Sequence, residues 1–390
     1  MQTQQKALLS QSYMKSSISL KWTKLSVKPD AQFGLPCERS SHGLSILCGG
    51  SRLILHGGER VARTPLDKSQ ETWAADKSTL DDGETWNWRL VSGHIGDDEA
   101  PPERVAHAQA VYNDSIVYIF GGRAGITMHE RAMNDLWKLD CSGEPGSEKW
   151  SLVKPDLESG DKPPEIRSFH KMLCIGSNLY VFGGCAANHG RLADLFKYDI
   201  LNNTWHNLGA STLLRGRGGA NFISFDSEKN VGVVAGFCGE ESNDGHLFDL
   251  ASNKWKDKDL SSELEGLRPR SVCVASSFPS TKTSIIFGGE VDPSQKGHEG
   301  AGGFANDVVL LDESTSRYLE SVPSPLTSDK DGSSSEWPQA RGWSDGAGLD
   351  DGEGNGELYI FGGLTGDDAN PIRLDDLWRL DISSNAPTFP

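Results

Sequence analysis

The string VYIFGG at Val117–Gly122 recurs along this 390-residue chain and decides its fold. Five related strings follow the same pattern: LILHGG at Leu53–Gly58, LYVFGG at Leu179–Gly184, VVAGF at Val233–Phe237, SIIFGG at Ser284–Gly289 and LYIFGG at Leu358–Gly363. A short apolar run of this kind predicts a buried β-strand. The glycines that end it permit backbone angles closed to other residues, so the chain can leave a crowded sheet there.

Three further strand patterns accompany each string. An arginine-led run precedes it, as in RVAHAQAVY from Arg104, and an acidic segment follows it, as in NDLWKLD from Asn134. A tryptophan-bearing segment comes next, as in EKWSLV from Glu148. Six repeated units of four strands each are typical of a six-bladed β-propeller. We therefore predict an all-β chain with four antiparallel strands in each blade.

The two ends of the repeat region complement each other. The last unit ends after DDLWRLDI at Asp375–Ile382 without a tryptophan strand, whereas KWTKL at Lys21–Leu25 has that pattern and no unit of its own. An open ring would leave two sheet edges facing solvent. The N-terminal strand is therefore predicted to close the last blade. This places the propeller at residues 21–384, between a flexible N-terminal tail (1–20) and a short C-terminal tail (385–390).

The pattern resembles kelch repeats over Trp22 to Ile382. The segment RSVCVASSFPSTKTSIIFGGEVDPSQKGHEGAG, at Arg270–Gly302, is similar to plant specifier proteins. Those kelch proteins steer the breakdown of glucosinolate aglucones towards nitriles, thiocyanates or epithionitriles. The wider family also includes fungal kelch cyclases such as hetero-Diels–Alderases, which is an analogy of fold without a matched catalytic motif.

The specifier resemblance implies a ferrous-iron site with the pattern Glu-x-x-x-Asp-x-x-x-His. Glu290 and His298 match it, but Ser294 occupies the middle position and Asp292 lies two residues earlier. A serine hydroxyl is a poorer ligand for ferrous iron than a carboxylate. We therefore expect no cofactor. If iron binds, we expect Glu290 and His298 as ligands from the resemblance, with Asp292 substituting for the aspartate that Ser294 replaces.

The leading arginine of each unit is predicted to share the channel mouth with the residue that follows the glycines. Its guanidinium suits sulfate, phosphate, carboxylate or an enolate-like oxygen, although the same arginine could instead bind backbone carbonyls between blades. Phe169 and Trp343 stand two residues after a leading arginine, so they could stack on a flat substrate or pack in the core. The predicted catalytic residues are Glu290, His298, Arg104 and Arg167. The predicted substrate-binding residues are Arg39, Arg123, Phe169, Arg217, Arg270, Arg341 and Trp343.

The amino-acid composition limits which classes of binding partner and which cellular compartment we expect. A formal net charge of -17 and a pI near 5.0 disfavour nucleic acid and anionic membranes. The seven cysteines include no C-x-x-C pair, which disfavours a disulfide framework or a zinc site. No secretory signal or membrane-spanning stretch is visible. We predict a cytoplasmic monomer or weak homodimer that binds a small molecule.

The leading functional hypothesis is an enzyme of specialised metabolism. It would hold a reactive unsaturated molecule in the channel mouth and direct its cyclisation or rearrangement without a redox cofactor, by positioning and charge stabilisation. Two alternatives remain open at this point. One is an iron-dependent specifier protein, and the other is a non-catalytic scaffold for protein interactions.

Overall fold

The computed structural model describes residues 18–78, 84–91, 100–125, 132–325 and 336–384. Over these residues the strands form six antiparallel sheets, and the first strand of each sheet contacts the first strands of the two neighbouring sheets in a closed cycle. This confirms the prediction of an all-β, six-bladed propeller. Among the same residues, no helix is both long and apolar enough to cross a lipid bilayer.

Strands are counted outward from the channel in each blade. Blade 1 consists of Gly43–Leu47, Arg52–His56, Thr72–Lys77 and Thr85–Leu90, with Ser26–Lys28 parallel to its outer edge. Blade 2 consists of Ala108–Tyr112, Ile116–Arg123, Ala132–Asp140 and Lys149–Val153. Blade 3 consists of Lys171–Ile175, Asn178–Ala186, Gly190–Asp199 and Thr204–Ala210, with the short Arg167–Ser168 pairing to its second strand.

Blades 4 to 6 follow the same order. Blade 4 consists of Asn221–Phe225, Asn230–Phe237, Glu241–Asp249 and Lys254–Asp259, and blade 5 of Val274–Phe278, Thr283–Phe287, Val308–Asp312 and Tyr318–Val322. Blade 6 consists of Asp345–Asp350, Asn355–Gly366, Pro371–Ser384 and the N-terminal Ile18–Lys24. Small hairpins at Glu59–Val61 with Thr64–Pro65, and at Glu290–Asp292 with Gly303–Phe304, extend from blades 1 and 5.

The N-terminal strand closes blade 6, as predicted. Ile18–Lys24 pairs antiparallel with Pro371–Ser384, and Trp22 stands opposite Leu380. The indole of Trp22 is 4% exposed and lies 4.8 Å from the ring of Phe287 in blade 5. The propeller was predicted to begin at Lys21, and the strand starts three residues earlier, at Ile18. The rest of the predicted tails, 1–17 and 385–390, lies outside the described residues.

Six backbone hydrogen bonds form a closed ring around the channel. The six residues are Ser41, Ala106, Phe169, Gly219, Val272 and Trp343. Each donates its N–H to the carbonyl of its counterpart in the preceding blade, at 2.8 to 3.0 Å, with Ser41 of blade 1 bonding to Trp343 of blade 6. All six have φ between +49° and +59°, a conformation that a β-branched residue such as Val272 rarely adopts. This amide ring divides the channel into an upper and a lower part.

Candidate functional site

The leading arginine of each unit lies inside its blade. In blade 2, Arg104 is fully buried; its Nε donates to the carbonyl of Pro102 at 3.0 Å and its Nη1 to the carbonyl of Gly121 at 2.9 Å. Nη1 and Nη2 each donate to one carboxylate oxygen of Asp135 at 2.9 Å. This arginine therefore ties the first, second and third strands of one blade together.

Blades 3 to 6 repeat this arrangement, and blade 1 departs from it. The equivalent pairs are Arg167 with Asp194, Arg217 with Asp244, Arg270 with Asp307 and Arg341 with Asp376. In blade 1, Arg39 binds only backbone carbonyls and the sulfur of Cys37.

The predicted ring of substrate-binding arginines is corrected by this geometry. All six guanidinium groups are at most 1% exposed, and they are committed to partners within their own blades. The roles predicted for Arg39, Arg217, Arg270 and Arg341 in substrate binding, and for Arg104 and Arg167 in catalysis, are wrong for this physical reason. The alternative considered from sequence was bonding to backbone carbonyls between blades; the arginines do bind backbone carbonyls, but these belong to the same blade, and a carboxylate partner is added in five blades.

The wall of the upper channel consists of the residue that follows each glycine pair. In each blade this residue forms a backbone bridge to the residue after the leading arginine. The six wall residues are Glu59, Arg123, Cys185, Phe237, Glu290 and Leu364. The amide ring forms the floor beneath them. Two predicted site residues, Arg123 and Glu290, are therefore in the wall, and two others, Phe169 and Trp343, are in the floor.

A cavity of about 130 Å³ lies on this floor, and we call it the upper pocket. Its lining includes Phe169, Trp343, Cys185, Phe237 and Glu290. The rings of Phe169 and Trp343 meet edge to face with their centroids 5.4 Å apart. The structure thus brings together from three blades an aromatic pair, a thiol and a carboxyl group that sequence reasoning had considered separately.

Cationic groups border the aromatic floor. The guanidinium carbon of Arg123 lies 5.0 Å from the ring centroid of Phe169, and that of Arg191 lies 4.5 Å from the ring centroid of Phe237. Burial lowers the pKa of Arg123, the charge of Arg63 lowers it further, and the carboxylate of Glu59 opposes both effects. A guanidinium with little water around it gains from an anionic ligand.

Arg191 and Phe237 are pocket residues that sequence reasoning missed. Arg191 is the second residue of the third strand of blade 3 and stands opposite Cys185. The sequence contains a pattern that could have identified Arg191. The motif Arg-Leu-x-Asp-Leu begins at Arg191 in blade 3 and again at Arg373, which holds the same position in blade 6. Phe237 was overlooked because its glycine pair is the broken Ala-Gly of blade 4.

Glu290 is a buried carboxyl group at the edge of the upper pocket. It is 7% exposed, and its Oε1 accepts the backbone N–H of Ser294 at 3.3 Å. Burial raises the pKa of Glu290, the Ser294 hydrogen bond lowers it, and the charge of Asp368 raises it again. Next to it, burial raises the pKa of Glu241 to about 8; the hydrogen bond from Ser271 opposes this and the charge of Glu290 adds to it.

The structure describes the side chains of two of the three residues implied as iron ligands, Glu290 and Asp292. The side chain of Asp292 is 75% exposed and pairs with Arg268 at 3.1 Å. Ser294 donates its hydroxyl hydrogen bond to Asp368 of blade 6. His298 lies in the short 3-10 turn Gly297–Glu299, and its side chain is outside the described residues. Within the residues described here, no group of three His, Cys, Asp or Glu side chains could hold a metal ion.

Comparison with known proteins defines the family. The family described as "KLHDC2/KLHL20/DRC7 Kelch-repeats domain" matches residues 80–289, more than half of the chain. The protein belongs to the kelch-repeat family. This kelch chain is 26% identical over 349 residues to "N-(sulfonatooxy)prop-2-enimidothioate sulfolyase" of Thlaspi arvense, and the match covers 85% of the chain and 89% of that protein.

A second curated relative matches over a smaller share of its length, and a solved structure shares the fold. "Putative adagio-like protein 2" of Oryza sativa subsp. japonica is 30% identical over 288 residues, which are 69% of this chain and 40% of that one. The solved structure of YjhT superposes with a TM-score of 0.58 at 16% identity, covering 88% of this chain and 95% of that one. The last similarity concerns the fold alone.

The upper pocket of this kelch protein combines three chemical functions. The aromatic pair offers flat apolar surface for an unsaturated group. Arg191 offers positive charge for an anionic group, and Arg123 lies outside the pocket lining, beside the ring of Phe169. Glu290 is a buried carboxyl group whose pKa is raised by burial, and a carboxyl group can exchange a proton with a bound molecule.

Proposed function

We propose that this kelch protein is a lyase-type enzyme that binds a small, unsaturated, anionic molecule in the upper pocket and directs its fragmentation or rearrangement. The observation that carries the proposal is the convergence of Phe169 and Trp343 with Arg191 and Glu290 around one cavity. The similarity to the Thlaspi arvense sulfolyase, over most of both chains, supports the same reaction class.

The name of that relative suggests a substrate of suitable chemistry. N-(sulfonatooxy)prop-2-enimidothioate carries a sulfate ester and a carbon–carbon double bond. In the upper pocket, Arg191 would bind the sulfate and stabilise it as it leaves, while Phe169 and Trp343 would hold the unsaturated chain and exclude water. Glu290 would supply or remove a proton at the reacting end. No step of this proposal passes through iron, because the side chain of His298, one of the three implied ligands, lies outside the described residues.

The proposal is tested by incubating the purified protein with N-(sulfonatooxy)prop-2-enimidothioate and comparing products with a protein-free reaction. Parallel reactions contain a chelator or added ferrous iron. We expect a protein-dependent product ratio that Trp343→Ala abolishes and the distant surface variant Glu144→Gln preserves. Product ratios equal to the protein-free control under every condition would contradict the proposal. A reactive quinone methide in the same assay tests the cyclase hypothesis, which stays a prediction.

A second candidate function is a binding propeller without chemistry. The match to adagio-like protein 2 favours it, because the matched region is 40% of a longer chain. In that case the sulfated substrate would bind weakly or not at all, and its products would be unaffected. Cytoplasmic location and a monomeric or weakly dimeric state remain part of both proposals.

A further inference from the structure

A loop of blade 5 contributes to the lining of the upper pocket. It joins the short strands Glu290–Asp292 and Gly303–Phe304, and we call its residues, 293–302, the pocket loop. Three of its residues line the cavity: Pro293, Ser294 and Gly297. The position of the pocket loop therefore sets how wide the upper pocket is.

One residue of blade 6 holds the pocket loop in place. Asp368 lies between the second and third strands of that blade. One carboxylate oxygen of Asp368 accepts the hydroxyl hydrogen bond of Ser294, and the other accepts the backbone N–H of Gln295 at 3.1 Å. The backbone carbonyl of Asp368 accepts a hydrogen bond from Nζ of Lys296 at 2.6 Å. Consecutive residues of the pocket loop are therefore bound to a single residue of the neighbouring blade.

The pocket loop also fits closely around Asp368. A Cβ atom on Gly300 would collide with the carboxylate of Asp368 and with the hydroxyl of Ser294. The φ of Gly300 is −105°, which any residue adopts, so lack of space rather than backbone conformation requires glycine here. A single methyl group added at Gly300 would therefore displace one or both of the hydrogen-bonded side chains.

The first half of the pocket loop lies at the surface, where Pro293 and residues 295–297 are exposed. Within the loop, Ser294 donates its N–H to Oε1 of Glu290 at 3.3 Å and accepts the N–H of Lys296 on its hydroxyl at 3.0 Å. Segments that bury little apolar surface open locally at a small cost in free energy. The hydrogen bonds to Asp368 therefore contribute much of what keeps this half of the loop against the pocket.

We propose that Ser294 and Asp368 form a latch between blades 5 and 6 that controls access to the upper pocket. When the latch is closed, the pocket loop narrows the cavity above the aromatic floor. When the hydrogen bonds to Asp368 break, the first half of the loop moves away from Glu290 and widens the entrance. The latch is a property of the pocket itself, so it does not depend on which ligand binds there or on the lyase activity proposed above.

Two cysteines on opposite sides of the amide ring report on the latch. Cys185 lines the upper pocket, whereas Cys174 lines a separate cavity below the ring. The full chain is treated with methyl methanethiosulfonate, and peptide mass spectrometry follows the rate of modification at each cysteine. Ser294→Ala and Asp368→Ala should each raise the rate at Cys185 about fivefold or more, because each removes hydrogen bonds that hold the loop. The rate at Cys174 should not change.

Three further variants make the result specific to the latch. Gly300→Ala should raise the rate at Cys185 without removing any hydrogen-bonding group. In the double variant of Ser294→Ala and Asp368→Ala, the increase should be smaller than the product of the two single increases, because both remove the same hydrogen bond. Asp375→Asn removes an equal charge at an exposed position of blade 6 and should react like the wild type.

Wild-type rates at Cys185 in Ser294→Ala, Asp368→Ala and Gly300→Ala would overturn the proposal. An equal rise at Cys174 would also overturn it, since that would indicate a general loosening of the propeller. A fully multiplicative double variant, or an equal rise in Asp375→Asn, would contradict a shared bond between the two side chains. All of these rates are measured without substrate, so the latch and the proposed lyase activity are tested separately.

Discussion

Asp135 accepts one hydrogen bond from each Nη atom of Arg104, both at 2.9 Å, and joins the third strand of blade 2 to the first. Although burial raises the pKa of Asp135, the hydrogen bonds and charge of Arg104 lower it below its usual value. Asp135→Asn would leave the guanidinium buried without its counter-charge. We expect a loss of about 3–5 kcal/mol in the free energy of unfolding, the usual effect of breaking a buried ion pair.

Urea unfolding at pH 7 measures this loss, and Glu144→Gln serves as the control because it removes the same charge at an exposed position of blade 2. The wild-type advantage over Asp135→Asn is present above the unfolded pKa of aspartate and disappears as the pH falls through the lowered folded value. Equal stability of Asp135→Asn and Glu144→Gln at pH 7 would show that the pair is not structural.

The fold could be predicted from the sequence. The apolar runs that end in glycine pairs mark one strand in each of six blades, and the unpaired strand at Trp22 can only be placed at the open edge of the last blade. The site was predicted only in part. Strand alternation placed Trp343 on the same side as Arg341, but the positive φ of Trp343 interrupts that alternation. The arginine therefore turns into the blade while the indole faces the channel. Arg191 was missed because it lies in a third strand, for which the sequence predicted no site residue.

Trp22 fills the junction between blades 5 and 6. Its ring lies 4.8 Å from that of Phe287 and 6.5 Å from that of Trp378. Trp22→Ala should reduce the free energy of unfolding by about 3–5 kcal/mol, because it leaves a cavity where the ring closes. Lys21→Ala, at the exposed neighbouring position, should change it by less than about 0.5 kcal/mol. Calorimetry of both variants tests this, and equal melting temperatures would contradict the closure described here.

Arg191 is expected to select for an anionic ligand in the upper pocket. Its guanidinium stacks on Phe237, so the charge is held at the cavity without depending on a salt bridge. Arg191→Leu should weaken binding of the sulfated substrate by tenfold or more, while Arg191→Lys should retain part of the affinity because the charge remains. Equilibrium binding at two salt concentrations measures both effects. Arg215→Leu, an exposed arginine of blade 4, is the control, and an equal loss in that variant would assign the effect to overall charge.

Glu241 should make binding in the upper pocket depend on pH. Burial raises its pKa to about 8, and the neighbouring charge of Glu290 contributes. Above that pH its ionisation adds negative charge beside Glu290, so affinity for an anionic substrate should fall between pH 7 and 9. Glu241→Gln should remove this fall, whereas Glu240→Gln, at the exposed position before it, should keep it. A decline of the same size in all three proteins would assign it to other groups.

Glu71 should make the stability of blade 1 depend on pH in the opposite direction to Asp135. It occupies the position of Asp135 in blade 1, and its Oε1 lies 3.8 Å from Nε2 of His56 without a hydrogen bond. Burial raises the pKa of Glu71 to about 8, although the charge of Arg104 opposes it. The folded protein therefore binds a proton at Glu71 more tightly than the unfolded chain does, from about pH 4.5 to 8.

Stability contributed by a protonated Glu71 is complete at low pH and declines as the pH rises through that window. Glu71→Gln mimics the protonated form at every pH, so its free energy of unfolding should exceed that of the wild type increasingly between pH 6 and 9. Urea unfolding at steps across this range measures the difference, with Glu158→Gln as an exposed control. A difference between Glu71→Gln and wild type that stays constant with pH would mean that Glu71 ionises at its ordinary pKa in the folded protein.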